Sequence, residues 1–371
     1  MDSFHVRIED SLLDDLRQRL RRTRWPDQIA DSCWDYGADT QFMRELCEYW
    51  AESFDWRAQE ARLNAHAQAR VDLGGYRLHV LHRPSPRNGA IPLLVLHGWP
   101  SSFIQMIPLL DALPAAEAHH DVAFDVVVAS LPGFGFSDIP DARGMNMQQA
   151  GELMIKLMQI MGYDRFAIRA SDVGAAIARQ IALSRPQALM GLHISGTNPF
   201  LPPVLPEDLD AQEQAFVAAA RDWQISEAGY AHMHSTRPQT LAHALNDSPA
   251  GLAAWIVEKF RAWGDTGDDI HSRFSRDDLL TNITIYWATG TVNSSMRIYL
   301  ENERNPGRAG RVEVPTSVLM GPRDMLETPR QWVNRAYNVK AWKIADAGGH
   351  FMEWEEPQAV ANHLCEFFAR G

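Results

Sequence analysis

The chain reads as an α/β protein with a mostly parallel, doubly wound sheet, a helical cap inserted into it and an N-terminal meander before it. Three observations carry that reading. Short apolar strands alternate with helical patterns between Pro92 and Ser195, as in a parallel sheet wrapped by helices. The alternation stops around the prolines at 199, 202, 203 and 206 and resumes at Val314. Within the first stretch, a strand, a tight turn and a helix meet at Asp172.

Phe4, Ile8, Leu12, Leu13, Leu16 and Leu20 recur at helical spacing, so the first segment is expected to be a helix, broken at Trp25-Pro26-Asp27. A second amphipathic run covers Gln41 to Phe54. Ala69 to Leu73 and Tyr76 to His82 alternate around Gly74-Gly75, the pattern of a hairpin. Core strands are expected at 92–96, 124–129, 165–169, 189–195, 314–320 and 339–344, with helices at 146–161, 173–184 and 356–368. This divides the chain into a meander (1–65), a core in two parts (66–199 and 312–371) and a cap (200–311) that follows the sixth core strand, 189–195, when the two strands of the hairpin are counted.

With 371 residues, 46% of them hydrophobic, the chain can bury one large core and carry an extra module. A net charge of -12 argues against general binding to nucleic acid or anionic membranes. Cys33, Cys47 and Cys365 form no CxxC pair and read as reduced thiols of a cytoplasmic protein. Met1 to Arg24 is rich in charge and lacks the apolar stretch of a signal peptide. No segment approaches the roughly 18 uninterrupted apolar residues of a spanning helix.

Asp172 is flanked by Ala170 and Gly174, in a turn of the form small-x-nucleophile-x-small. A sharply folded strand-to-helix turn needs small flanks, because larger side chains would collide there. Ser171 is the rival nucleophile, but its flanks would be the bulky Arg169 and Val173. Taken alone, Asp172 reads equally well as the N-cap of the following helix. The rest of the chain favours the nucleophile.

A nucleophile on such a turn is served by an acid and then a histidine further along the chain. Asp324 follows the strand 314–320 in a Gly-Pro-Arg-Asp loop, and Glu327 is the alternative acid. Of the 14 histidines, His350 alone follows a late core strand beside a glycine pair, Gly348-Gly349. The strand 92–96 runs straight into His97-Gly98-Trp99-Pro100. The backbone N–H groups of Trp99 and Val173 are the expected oxyanion donors. Trp99 and Pro100 are placed in the pocket wall, with their peptide bond a candidate for the cis form.

These motifs, in this order, resemble the microsomal-type epoxide hydrolases of the α/β-hydrolase superfamily, almost end to end. Leu20-Arg-Arg-Thr-Arg-Trp-Pro-Asp27 is similar to the family's N-terminal module, His97-Gly-Trp-Pro100 to its HGxP motif, and Gly348-Gly-His-Phe351 to its histidine loop. The segments 235–241, 246–260 and 278–287 resemble its cap. The resemblance implies an α/β-hydrolase fold and two cap tyrosines aimed at the epoxide oxygen, here Tyr230 and Tyr299. It also implies attack by Asp172 to form an alkyl ester, which water activated by His350 and Asp324 then cleaves to a vicinal diol.

The chain departs from the family pattern at Ala170 and Ser171, where Gly-Gly is usual, at Val173, where Trp is usual, and at Gly321-Pro322, where Phe-Pro is usual. Those changes alter pocket shape and leave the mechanism in place. Two other readings compete: a haloalkane dehalogenase-like hydrolase, which also uses an aspartate nucleophile, and a catalytically inactive hydrolase-fold binder of small molecules. The expected partner is a small lipophilic epoxide. No metal, organic cofactor, nucleic acid or membrane anchor is expected, and assembly as a homodimer is left open.

Overall fold

Nine strands form one sheet in the computed structural model, which describes residues 2–196 and 198–369. They are β1 (Asp2–Ser3), β2 (Gln68–Asp72), β3 (Arg77–Arg83), β4 (Ile91–Leu96), β5 (Phe124–Ala129), β6 (Phe166–Ser171), β7 (Leu189–Ser195), β8 (Val312–Met320) and β9 (Tyr337–Ile344). Their order is β1-β2-β3-β5-β4-β6-β7-β8-β9. The pairs from β5 to β9 are parallel, and β1, β2 and β3 add antiparallel strands at one edge. All six residues of β6 are buried, as expected of a central parallel strand covered on both faces.

The chain leaves β4 toward β5 on one side, then crosses back to place β6 on the other. The order of winding therefore reverses beside β4. Ligands bind in the crevice that such a reversal opens at the carboxyl ends of the strands. Here Leu96 pairs with Ala170 at the ends of β4 and β6, which sets the loops beginning at His97 and Asp172 side by side.

The cap lies between β7 and β8. Its main helices are Ala211–Ser226, Gly229–Thr236, Pro238–Leu245, Pro249–Trp263, Arg276–Thr289 and Val292–Arg304. Local chemistry fixes several of their ends. Asp210 and Glu213 form a reciprocal capping box. Ser248 and Ser275 cap the helices that follow them. Gly290, at φ 64°, ends Arg276–Thr289 in the left-handed conformation that glycine tolerates.

The N-terminal segment differs from its expected form. The first helix is Asp10–Arg21, so Phe4 and Ile8 precede it. Asp2 and Ser3 instead pair with Arg70 and Ala69. The backbone N–H groups of Val6 and Ile8 are taken by the side chains of Asn64 and Glu60. Those partners hold residues 4–8 out of the helix, and Phe4 packs edge-on against His79. The helices Thr40–Glu52 and Trp56–Asn64 then brace the cap: Tyr49 bonds Asp277, Trp50 bonds Thr284 and Arg62 pairs with Asp278. Among the described residues no helix is long and apolar enough to cross a membrane.

Candidate active site

β6 runs into the helix Asp172–Ser184 with no loop between them. Asp172 makes that turn at φ 51°, a left-handed conformation that side chains other than glycine seldom adopt and that the surroundings must enforce. Two glycines make room for it. A Cβ on Gly174 would come within 2.6 Å of the Leu96 and His97 carbonyl oxygens, and one on Gly98 within 2.2 Å of Asp172 Oδ1. Ser171 points elsewhere: it is buried, and its hydroxyl donates to Glu353 Oε1 at 3.0 Å. Of the two neighbours, only Asp172 faces His350 and the Trp99 N–H.

Asp172 Oδ1 accepts the Trp99 N–H at 2.8 Å. Its Oδ2 lies 3.2 Å from His350 Nε2, and His350 Nδ1 lies 2.9 Å from Asp324 Oδ1. Glu327, the alternative acid, is exposed. Val173 stands in the first turn of its helix, where backbone N–H groups have no intrahelical acceptor. The Trp99–Pro100 peptide is cis. Around it, Asn282 Nδ2 donates to the Pro100 carbonyl at 2.8 Å and Tyr286 to the Ser101 carbonyl at 2.7 Å. Cap and oxyanion turn are thus joined directly.

His350 is held on every side. Its N–H donates to the Trp263 carbonyl at 2.8 Å, and the Trp263 indole packs edge-on against its ring at 5.6 Å. Glu355 accepts the N–H groups of Gly349 and Phe351, the two neighbours of His350, at 3.0 and 2.9 Å. Burial alone would lower the His350 pKa. The charge of Asp324 and the hydrogen bonds to Asp172 and Asp324 outweigh it and raise it to about 10, because opposite charges favour the protonated ring. The resting residue is an imidazolium at neutral pH.

Tyr230 and Tyr299 face the same space from the helices Gly229–Thr236 and Val292–Arg304. Tyr230 stacks on Trp99 with centroids 5.1 Å apart and planes 6° apart. Tyr299 meets Tyr230 edge-on at 6.3 Å. Burial raises both pKa values well above the usual phenol value. The Asp172 charge adds to the rise in Tyr230; Tyr230 and then Asp172 add to it in Tyr299. Both remain protonated donors. Tyr286, fully buried nearby, has committed its proton to the Ser101 carbonyl.

The structure thus brings Asp172, Asp324, His350, Tyr230, Tyr299, Trp99 and Val173 together beneath the cap. A surface cleft of about 630 Å³, lined by Arg143, Arg237, Arg297 and Arg304 among others, contains none of them. Among the described residues no group of three or more His, Cys, Asp or Glu side chains is arranged to hold a metal ion. Sequence reasoning missed Glu353, Glu355, Trp263 and Asn282. A signal for the first two was present: Glu353 and Glu355 follow His350 closely within an otherwise apolar run.

The chain is similar to known proteins over most of its length. A family model described as "Epoxide hydrolase N terminus" matches residues 1–106, and one described as "alpha/beta hydrolase fold" matches residues 91–357. Epoxide hydrolase 1 of Sus scrofa is 33% identical over 400 residues, covering 98% of this chain and 87% of that protein. The structure of Aspergillus niger epoxide hydrolase superposes with a TM-score of 0.89 at 28% identity, covering 100% of this chain and 96% of that one. The juvenile hormone epoxide hydrolase of Bombyx mori gives 0.87 at 26% identity, covering 100% and 94%. With the α/β-hydrolase sheet, the helical cap and both family models spanning it, the chain belongs to the microsomal-type epoxide hydrolase family.

Proposed function

We propose that this epoxide hydrolase works through a covalent ester on Asp172. A carboxylate oxygen of Asp172 attacks a ring carbon, the C–O bond breaks, and the ring oxygen takes a proton from the Tyr230–Tyr299 pair. The product of this step is an alkyl ester carrying a neighbouring hydroxyl. Esterification removes the Asp172 charge that helps to keep His350 protonated. Burial then depresses the ring's pKa with only Asp324 opposing it, so His350 passes its proton through solvent to the phenolate left on the tyrosine pair, which restores the phenol and leaves His350 as a base. It draws a proton from water, which attacks the ester carbonyl. The N–H groups of Trp99 and Val173 hold the oxyanion that forms, and collapse releases a vicinal diol and free Asp172.

The observation that carries this reading is the line from Asp172 through His350 to Asp324, at 3.2 and 2.9 Å, with two protonated tyrosines facing it. Trp99, Trp263 and the tyrosine rings support a small lipophilic epoxide as substrate. The free cysteines Cys33, Cys47 and Cys365 support a cytoplasmic location. Val173 argues against a dehalogenase, because it offers no indole N–H to a departing halide. Diol release from styrene oxide, compared with halide release from a bromoalkane, tests the assignment. Halide release without diol formation would replace it.

A further inference from the structure

Glu353 lies three residues after His350, on the short helix Met352–Glu355, and is fully buried. Its carboxylate reaches the two other loops that build the site. Oε1 accepts the hydroxyl of Ser171, the residue before Asp172, at 3.0 Å. Oε2 accepts the amide of Gln105 at 2.7 Å, and Gln105 lies on the 3-10 turn Phe103–Met106 just beyond His97-Gly98-Trp99-Pro100. Arg169 on β6 brings Nη2 to 2.9 Å from Oε1, with both side chains at 0% exposure. Nη2 makes no aligned hydrogen bond, so this contact is mainly electrostatic. Arg169 Nη1 donates to His193 Nδ1 at 2.9 Å, and His193 Nε2 reaches His363 Nδ1 at 3.0 Å.

A buried ion pair is a poor source of stability, since apolar residues of similar volume often serve as well or better. The charges supply direction instead. A carboxylate accepts hydrogen bonds in a few fixed directions, so the donors on β6 and on the 3-10 turn are set relative to the helix that follows His350. We propose that Glu353 is a positioning residue that keeps the nucleophile turn, the oxyanion turn and the histidine loop in one register. It touches neither the substrate nor the reacting atoms. The step that depends most on this register is ester hydrolysis, in which water must lie between His350 and the Asp172 carbonyl. Ring opening brings Asp172 and the cap tyrosines to the epoxide and needs no water placed between two loops, and the tyrosines are not bonded to Glu353, so it depends on this register less. The inference rests on the ester reading of the site.

Two variants of the full-length enzyme test it. Ser171→Ala cuts the tie to the nucleophile turn and leaves the Arg169–Glu353 pair in place. Arg169→Met with Glu353→Met removes both charges together, so neither is left buried and unpaired. The probe is styrene oxide under single-turnover conditions, with the enzyme adduct followed by quenched intact-mass measurement. A displacement of about 1 Å can slow a reaction about 10²-fold, and loosening one tie is expected to slow adduct decay about tenfold. Adduct formation is expected to hold its wild-type rate. In the steady state kcat then falls while kcat/KM, which reports ring opening, stays constant. A purely structural role would lower both in step with the loss of folded enzyme, and that result overturns the proposal. Decay at the wild-type rate in either variant overturns it while leaving the ester reading intact. No adduct in the wild-type enzyme would remove both.

Discussion

His350 Nε2 lies 3.2 Å from Asp172 Oδ2, which makes the charge of the histidine depend on the state of the aspartate. While Asp172 is ionised, His350 sits between two carboxylates and holds its proton up to about pH 10. An imidazolium cannot draw a proton from water. The resting site is therefore poised for attack by Asp172 itself, and the base appears only after that attack has used the charge.

The same pairing makes stability depend on pH. The folded pKa of His350, about 10, lies above the value of about 6.5 for a free histidine. The fold therefore binds this proton more tightly than the unfolded chain does. The stabilisation is complete below about pH 6.5 and is lost as pH rises toward 10, with a slope of at most about 1.4 kcal/mol per pH unit for one proton. Thermal melts from pH 6 to 10 should fall more steeply for the wild-type enzyme than for His350→Gln. Burial also raises Cys47 and Cys365 to about 12, which draws stability down above about pH 9, but it does so in both proteins. Parallel melting curves would mean that His350 does not carry the extra charge.

His350→Gln should also separate the two chemical steps. Ring opening does not use the histidine as a base, so the ester should form, and its hydrolysis should slow by at least about 10³-fold, as when a triad member is removed. Digestion and mass spectrometry should find a substrate-sized adduct on the peptide that contains Asp172. Substrate left unconsumed beside an excess of this variant would place His350 in the first step instead.

Much of this site was legible because steric demands were written into neighbouring residues. Asp172 adopts φ 51° only where its flanks are small, and Ala170 and Gly174 announce that. The strands Phe124–Ala129 and Leu189–Ser195 appear at the expected residues, since a parallel strand covered on both faces is mostly apolar. β1 escaped notice because Asp2 and Ser3 are polar and exposed, and only their pairing with β2 makes them a strand. Phe4 and Ile8 fitted a helical period, but Asn64 and Glu60 capture the backbone there. The apolar run after His350 marks Glu353 as unusual, but its role could not be read locally, because its partners Ser171 and Gln105 lie 182 and 248 positions away. Ser171, a departure from the family pattern, and the bulky Arg169 beside it make sense once that carboxylate is placed.

The tyrosines act in ring opening, so their loss should appear in ester formation rather than ester decay. Removing one oxyanion donor typically costs about 10²–10³ in rate, and the partner phenol should soften the loss in each single variant. Tyr230→Phe and Tyr299→Phe are each expected to slow alkylation, and the double variant should be nearly inactive. Tyr286→Phe tests a different role, since that hydroxyl holds the Ser101 carbonyl at 2.7 Å. If the double variant alkylates Asp172 at the wild-type rate, the proton comes from another group.

The origin of the new oxygen distinguishes the ester route from direct attack by water. Asp172→Ala should abolish turnover under either scheme, because an orienting carboxylate is as necessary as a nucleophilic one. Isotope placement does separate them. With enzyme in excess over epoxide in heavy-oxygen water, the first attack delivers a carboxylate oxygen of Asp172 to the ring carbon. Water then enters at the ester carbonyl, so its oxygen stays with the enzyme and the first diol is released mostly unlabelled. Direct attack would place a solvent oxygen on the diol in that same first turnover. The unlabelled outcome is expected because resting His350 is protonated and has no free nitrogen to activate water. The carboxylate, held at 2.8 Å by the Trp99 N–H on its other oxygen, is ready to attack. A fully labelled first diol would reduce Asp172 to an orienting group and move the nucleophile to water.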